Sequence, residues 1–419
     1  MRPIDVLIDV YGLSELLRFI ERTLYASPTR TEAGAKPGDR VTVVTRAALA
    51  QCSRWPSAFA SERKDHRFYE IVEDTINPEF EYRYFVIHDD RGEPCTVQPF
   101  FVLDQDLLAG MGSHTRAVAA TIRHLWPGFL KLRTLMVGCA AGEGHFDGAD
   151  EPSRQEGARR LASAIMCHAR AMKIRLVVIK EFPAKYRPTL ACFMQAGFAR
   201  VPSLPMTRLE IKYGSFDDYM CRALHSARRA KLRRTFQTLN RAPPVEMSLE
   251  GDITPIIGEI YPLYLQVYAR SKQHFEKLTP EFLCALGQAI PDKSRFFVWR
   301  QSGKIIAFNL CMVQGDAIYS EYIGLDYAVA LDLHLYFVAV RDVITWAIAN
   351  GYRSYCSSAL SYEPKFHLRH RLDPIDLYVR HTSAVINPIL RCLLPWLEPT
   401  RQEPLLRKFE NYDELWDRS

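Results

Sequence analysis

The chain has 419 residues, of which 48% are hydrophobic, 24% charged and 11% aromatic, and its formal net charge is +6. The apolar share excludes an intrinsically disordered chain, and the length exceeds what one core usually organises, so two domains are expected. The mild net charge excludes a polycation, which leaves anion binding to local clusters of Lys and Arg.

The N-terminal stretch MRPIDVLIDVYGLSELLRFIERTLY reads as a helix. Asp5, Asp9 and Glu15 interrupt the apolar core that a secretory signal needs, and no run in the chain reaches about 18 apolar residues. Neither secretion nor a transmembrane segment is expected. The ten cysteines form no CxxC pair and sit mostly in apolar runs, as reduced core thiols do, so a cytoplasmic location and no metal site are expected.

YRYFVIHDD and TVQPFFVLD, joined by the turn RGEP, read as a hairpin. A strand TLMVG (134–138), a helix from about Gln155 to Met172, a strand IRLVVIKEF and a helix RPTLACFMQAGF follow. SHTRAVAATIRHLWPGFLK inserts a helix and a connection before the strand at 134–138. Pro202 and Pro205 then punctuate a boundary near 205, after which SFDDYMCRALHSARRAKLRRTFQTLN is helical and basic.

Three strands, FFVWRQ (296–301), IIAFNLCMVQ (305–314) and AIYSEYIGLD (317–326), are joined by the polar turns SGK and GD. A helix from Leu331 to Asn350 stops at Gly351, before a short strand RSYCSSAL and a helix or loop EPKFHLRHRL. This order repeats that of the first half, which points to a duplicated unit. The expected division is a first unit over 1–205 with the N-terminal and inserted helices, a second over 206–382 preceded by the basic helix, and a helical tail over 383–419. Within that tail AVINPILRCLLPWL is the most apolar stretch. It is too short to span a bilayer and reads as a packed or peripheral helix.

The meander-helix-strand-helix order, with MQAGFARV closing the first copy, resembles the GNAT acyltransferase unit. The tandem arrangement, LPMTRLEIKYGSFDDYM before a Lys/Arg-rich helix, and LYFVAVRDVITWAIANGYRSY near the end together resemble the double-GNAT transferases related to the peptidoglycan-bridge-forming Fem enzymes, over about residues 70–381. The resemblance implies an α/β (α+β) fold of two tandem GNAT-like units, each a mixed, mostly antiparallel sheet flanked by helices. It also implies transfer of an acyl group to a small-molecule amine by direct attack. The donor is an acyl-CoA or acyl-carrier thioester, or alternatively an aminoacyl-tRNA; carrier protein or tRNA are then the macromolecular partners, and DNA is not. A third reading is a non-catalytic binding or scaffold protein. No Ser-His-Asp order, P-loop or HExxH motif offers a competing chemistry.

In GNAT units the splayed fourth strand and the following helix N-terminus hold the cofactor's pyrophosphate. The corresponding first-copy segment is VGCAAGEGHFDG, which makes Gly138, Gly142 and Gly144 candidate cofactor-binding residues. Cys139 stands where the family commonly has Gln or Arg, and Glu143 and Asp147 oppose a pyrophosphate. The same glycines also suit a flexible loop. The second-copy segment GLDYAVALDLH has no glycine after Gly324, so the glycines favour the first copy. Cys139 precedes a helix, where a thiol pKa can fall, but covalent catalysis is not expected.

The second copy offers side chains instead. Tyr319 and Glu321 alternate onto one strand face, and His334 and Tyr336 open the next helix; Glu, His and Tyr can serve as acid and base in amide formation. In SYEPKFHLRHR, Glu363 and Lys365 fall where the Fem-like enzymes also carry a Glu and a Lys, and Lys365 is the candidate for stabilising an oxyanion. Phe366 and His367 replace the glycine-rich continuation of those enzymes. Arg228, Arg229 and Lys231 on the basic helix suit CoA phosphates, a phosphopantetheine or tRNA, and equally a solvated helix face.

Overall fold

The computed structural model describes residues 40–106, 131–239, 242–271 and 275–417. The expected N-terminal helix and the inserted helix before the strand at 134–138 lie outside the described residues. Fourteen strands occur among those described: β1 (Val41–Val44), β2 (Glu81–His88), β3 (Pro94–Asp106), β4 (Lys131–Val137), β5 (Leu176–Pro183), β6 (Ala199–Pro202), β7 (Met206–Glu210), β8 (Val245–Glu250), β9 (Ser294–Gln301), β10 (Lys304–Gln314), β11 (Ala317–Leu325), β12 (Ser354–Ser357), β13 (Arg371–Asp373) and β14 (Ile375–His381). The longer helices are α1 (His66–Thr75), α2 (Glu151–Ala171), α3 (Arg187–Gln195), α4 (Phe216–Ala223), α5 (Ser226–Leu239), α6 (Ile257–Tyr268), α7 (Pro280–Ala289), α8 (Leu335–Ala349), α9 (Tyr362–His367) and α10 (Ile386–Leu397).

The strands form two seven-stranded sheets, ordered β1-β2-β3-β4-β5-β14-β6 and β13-β7-β12-β11-β10-β9-β8. Each has one parallel pair in the corresponding place, β4 with β5 and β11 with β12. The β9–β10 turn closes with Ser302 at φ 51° and Gly303 at φ 81°, the left-handed pair that a two-residue hairpin needs.

The two halves exchange a strand. The chain crosses at Pro205 from β6 in the first sheet to β7 in the second, and at Pro374 from β13 in the second to β14 in the first. β14 pairs with both β5 and β6, whereas β7 pairs with β12 and β13. The segment expected within 206–382 therefore gives its last strand to the other sheet. A buried ion pair from Arg187 Nε to Asp376 Oδ2 at 2.7 Å fixes the exchanged β14.

Apolar side chains from the facing sides of both sheets share one core with α1, α6 and α7, in which Val86, Phe101 and Val178 meet Phe296, Phe308 and Leu310. The outer face of the first sheet is covered by α2 and α3, and that of the second by α4 and α8. Each fully buried Phe or Leu contributes on the order of 1.5–3 kcal/mol by leaving water, so this shared middle layer ties the sheets into one unit.

Candidate active site

Two strands that run parallel and then part leave a fork whose inner edges carry unpaired backbone groups. In the first sheet β4 and β5 pair from Thr134/Leu176 to Val137/Ile179. The chain then turns away at Gly138, whose N–H donates to Pro99 O at 3.0 Å, and returns so that Gly144 N–H donates to Glu181 O at 3.1 Å. The loop thus fills its own fork. Cys139, Ala140, Ala141, Glu143, His145, Phe146 and Asp147 are all buried in it. A Cβ on Gly144 would lie 2.6 Å from the Phe182 ring, so the glycine serves close packing. The following helix α2 is capped by Asp150, which accepts from Ser153 N–H, and carries Glu151 in its first turn. Gly138, Gly142 and Gly144, expected at a pyrophosphate, lie in this loop, whose acids Glu143 and Asp147 are paired with Arg63, Lys64 and Arg54. Burial pushes the Cys139 thiol up to about 11, against a nucleophilic role.

The second sheet behaves differently. β11 and β12 pair from Ala317/Ser354 to Ser320/Ser357, with one more bond from Ser358 N–H to Ser320 O at 3.2 Å. Beyond it, among the described residues, no backbone hydrogen bond joins Tyr322–Leu325 to the chain after Ser358. At the point of parting Glu321 is the extra residue of a β-bulge, since Leu310 pairs with Tyr322 and Cys311 with Ser320.

Lys365 holds the other arm of this fork. Its Nζ donates to Ser358 O and, at 2.8 Å, to Leu360 O, across Leu360 (φ 73°) and Ser361 (φ 50°), two successive non-glycine residues in the left-handed region. The lysine is buried without a carboxylate partner among the described residues, and desolvation pushes its pKa down to about 7. Beside it His370 is buried, with Nδ1 3.1 Å from Thr207 Oγ1, and burial followed by the Lys365 charge takes it down to about 3.

Between the sheets lies a charged junction assembled from segments far apart in the chain. Arg63, buried in the segment before α1, donates from Nε to Glu321 Oε1 at 2.6 Å and from Nη2 to Glu143, and its guanidinium lies 3.7 Å over the Tyr319 ring. Lys64 Nζ reaches Glu143 Oε2 at 2.9 Å. Burial opposes the Glu143 charge, but Arg63 and Lys64 outweigh it and hold that carboxyl well below the usual range. Tyr319 is pushed up to about 12 by burial. Glu321, through a hydrogen bond, and Tyr319, through its ring face, are both committed to Arg63.

A second polar group is tied to the β11 arm. Tyr322 donates its hydroxyl to Glu276 Oε1 at 3.1 Å, and burial raises the Glu276 pKa despite the nearby Lys180. Lys180 Nζ bonds Gly142 O at 2.9 Å and Glu181 Oε2 at 2.6 Å. Glu276 was not singled out from the sequence, because SKQHFEK reads as an ordinary polar connection.

The other expected residues are dispersed. His334 is exposed at the N-cap of α8, at φ 48°. Tyr336 packs with the apolar residues on the α8 side of the sheet, and its pKa is raised by burial. Glu363 is exposed, 3.9 Å from His367. Arg228 bonds the carbonyls of Phe366 and His367 at the end of α9, and Arg229 bonds Cys221 O, so both have structural partners; Lys231 is exposed. No group of three or more His, Cys, Asp or Glu is placed to hold a metal ion among the described residues.

Two mixed sheets with corresponding parallel pairs, each flanked by helices, are two tandem GNAT-like units. Residues 226–361, which contain the open fork, match the acetyltransferase (GNAT) domain family. No curated protein matches the sequence significantly. Among solved structures, L-PGS from Bacillus licheniformis is similar at 12% identity and a TM-score of 0.47, over 82% of this chain and 99% of that chain. FemX is similar at 11% identity and a TM-score of 0.45, over 74% of this chain and 90% of that one. A tandem GNAT protein from the clavulanic acid biosynthesis pathway gives 12% identity and 0.43, over 82% and 99%.

Proposed function

We propose that the protein is an N-acyltransferase that takes an acyl group from a CoA or acyl-carrier thioester and gives it to an amine by direct attack at the β11–β12 fork. The observation that carries this reading is the contrast between the forks: the first is filled by its own loop, and the second parts after Ser320 and Ser357 with Lys365 on one arm and Tyr322 on the other. The unpaired edge of β11 suits the amide groups of a pantetheine arm. Lys365, when charged, keeps one N–H beyond its two carbonyl bonds, and that donor suits the carbonyl oxygen as it gains charge.

Glu276 is the group fitted to accept the ammonium proton, since burial brings a carboxyl's pKa nearer to working pH. The amine nitrogen then bonds the carbonyl carbon as the C–S bond breaks, and its second proton leaves with sulfur as the thiol. Glu321 holds the bulge through Arg63 and does not touch the reacting atoms. The test is a binding assay of the full chain against a set of CoA thioesters and bulk aminoacyl-tRNA at low and high salt. Saturable thioester binding with weak salt dependence supports the proposal; steep salt-dependent binding of tRNA alone sinks it.

A second reading, aminoacyl transfer from tRNA, draws on the place of α5. That basic helix is bonded to the end of α9 by Arg228 and exposes Lys231, along with Arg233, which pairs with Asp217.

A further inference from the structure

Helix α10 turns an apolar face outward. Leu394 is buried and Leu390 packs on the shared core, whereas Val385, Ile389, Leu393, Trp396 and Leu397 are between 45% and 74% exposed. Val385, Ile389 and Leu393 recur every four residues and so form one stripe. Arg391 is the only charged residue in the helix. Scattered exposed apolar residues need no explanation, but a contiguous stripe ending in an exposed tryptophan marks an interaction surface.

The surroundings say what kind of partner it fits. Asn387 pins the first turn, with Oδ1 accepting from His381 N–H at 3.0 Å and Nδ2 donating to Gly197 O at 3.0 Å. Around that turn lie Arg380, which bonds Ala196 O, Arg170, which bonds Thr382 O at 3.4 Å, and Lys173, next to the Ile174 carbonyl that Thr382 Oγ1 binds at 3.1 Å. None of Arg170, Lys173, Arg380 and Arg391 has an ion pair among the described residues. At the far end Glu398 is buried and paired with Arg401.

An apolar stripe with a terminal tryptophan and a rim of unpaired cations is the pattern of a helix that lies in the plane of a membrane surface. No helix among the described residues is long and apolar enough to cross a bilayer, and α10 has twelve residues. We propose that α10 docks the protein on an anionic lipid surface, with Ile389, Leu393, Trp396 and Leu397 in the acyl boundary and the exposed Arg170, Lys173 and Arg391 against headgroup phosphates. The inference is independent of the reaction proposed above.

The test is co-sedimentation of the full chain with vesicles of phosphatidylcholine, with and without phosphatidylglycerol, alongside its solution mass. Wild type is expected to pellet with the phosphatidylglycerol vesicles only, and added salt should release it. Ile389→Glu combined with Leu393→Glu should weaken that binding by roughly tenfold or more while the melting temperature holds. Lys173→Glu combined with Arg391→Glu should weaken it too, without touching the apolar stripe. Equal binding to both vesicle types overturns the assignment to an anionic surface. So does wild type left in the supernatant, whether because a second copy covers the stripe, seen as a dimer that the Ile389→Glu, Leu393→Glu protein loses, or because another protein or segment does.

Discussion

Arg63 and Glu321, 258 residues apart in sequence, meet in a 2.6 Å bond from Nε to Oε1 that spans the two units. Both are almost wholly removed from water, and Glu143 takes the remaining guanidinium edge. Removing one member of a buried pair strands the other's charge, at about 3–5 kcal/mol. Arg63→Met is therefore expected to lose that much in urea unfolding, and a loss below about 1 kcal/mol would show that the junction is incidental. Glu321→Gln keeps an acceptor for Nε and should cost less. Because Glu321 is an ion-pair partner and not a free base, this variant should keep turnover within about tenfold of wild type once folded.

Glu62 gives the junction a pH limit. Its carboxylate is bonded by Lys185 at 3.1 Å, Tyr186 at 3.0 Å and Gln314 at 2.7 Å, with His145 3.3 Å away. Burial opposes its charge, but His145, Lys185 and Gln314 prevail and take the pKa down to about 2. A carboxyl depressed on folding stabilises the native state above its unfolded pKa of about 4.3, and that stability fades as pH falls toward the folded value. His145, depressed by burial, acts in the same direction, since the folded state resists its protonation. Glu62→Gln should flatten the stability loss between about pH 5 and pH 2 by roughly 3 kcal/mol. Parallel wild-type and variant curves over that range would remove Glu62 from the account.

Local order was legible in the sequence, and long-range pairing was not. The β9–β10–β11 meander followed from its two polar turns, and α8 from its apolar run and Gly351. The structure starts that helix at Leu335, after the chain winds through Asp326–His334. The strand exchange was hidden because β14 alternates as any half-buried strand does, and nothing local says which sheet it joins. Glu321 reads in the sequence as a candidate acid or base, and the structure bonds it to Arg63. The partner sits in the run Glu62-Arg63-Lys64-Asp65, which reads as a solvated charge cluster until folding buries all four side chains. In the first copy, a Cβ would meet Phe182 at position 144 and Lys64 at position 142, contacts between distant segments that no local pattern announces.

Lys365 has a measurable signature apart from catalysis. Its folded pKa of about 7 lies below the usual lysine value of about 10.4, so between those limits the unfolded chain holds the proton that the folded one releases. Stability due to this residue therefore grows as pH rises from about 7 and is lost as pH falls through it. Relative to Lys365→Met, wild type should gain roughly 2–3 kcal/mol between about pH 6 and pH 9 in matched urea titrations. A constant difference means that the amine stays charged in the fold. The same variant should lower turnover by about a hundredfold or more if the amine donates to the reacting carbonyl.

Glu276 should set the acidic limb of the rate profile. A base must be deprotonated to work, so kcat/KM is expected to climb with pH through its raised pKa. Glu276→Gln keeps the hydroxyl bond from Tyr322 and removes the base, which should cost about 10²–10⁴ in kcat and abolish that limb. Tyr322→Phe, which frees the carboxylate of its donor, should shift the limb upward. An unchanged limb in Glu276→Gln assigns the proton to another group.

The contrast between the two forks can be settled with one glycine. A Cβ at position 144 meets Phe182 at 2.6 Å and Lys180 O at 3.0 Å, so Gly144→Ala forces the first loop to shift and should cost about 1–3 kcal/mol. If the thioester sits in the second fork, that strain is remote from it, and the donor's dissociation constant should stay within about twofold of wild type below the melting transition. If the donor uses the first loop, Gly144→Ala weakens binding in step with the lost packing, while Lys365→Met leaves it unchanged. Isothermal titration of both variants with one CoA thioester separates the cases, because each places the loss of affinity in a different protein.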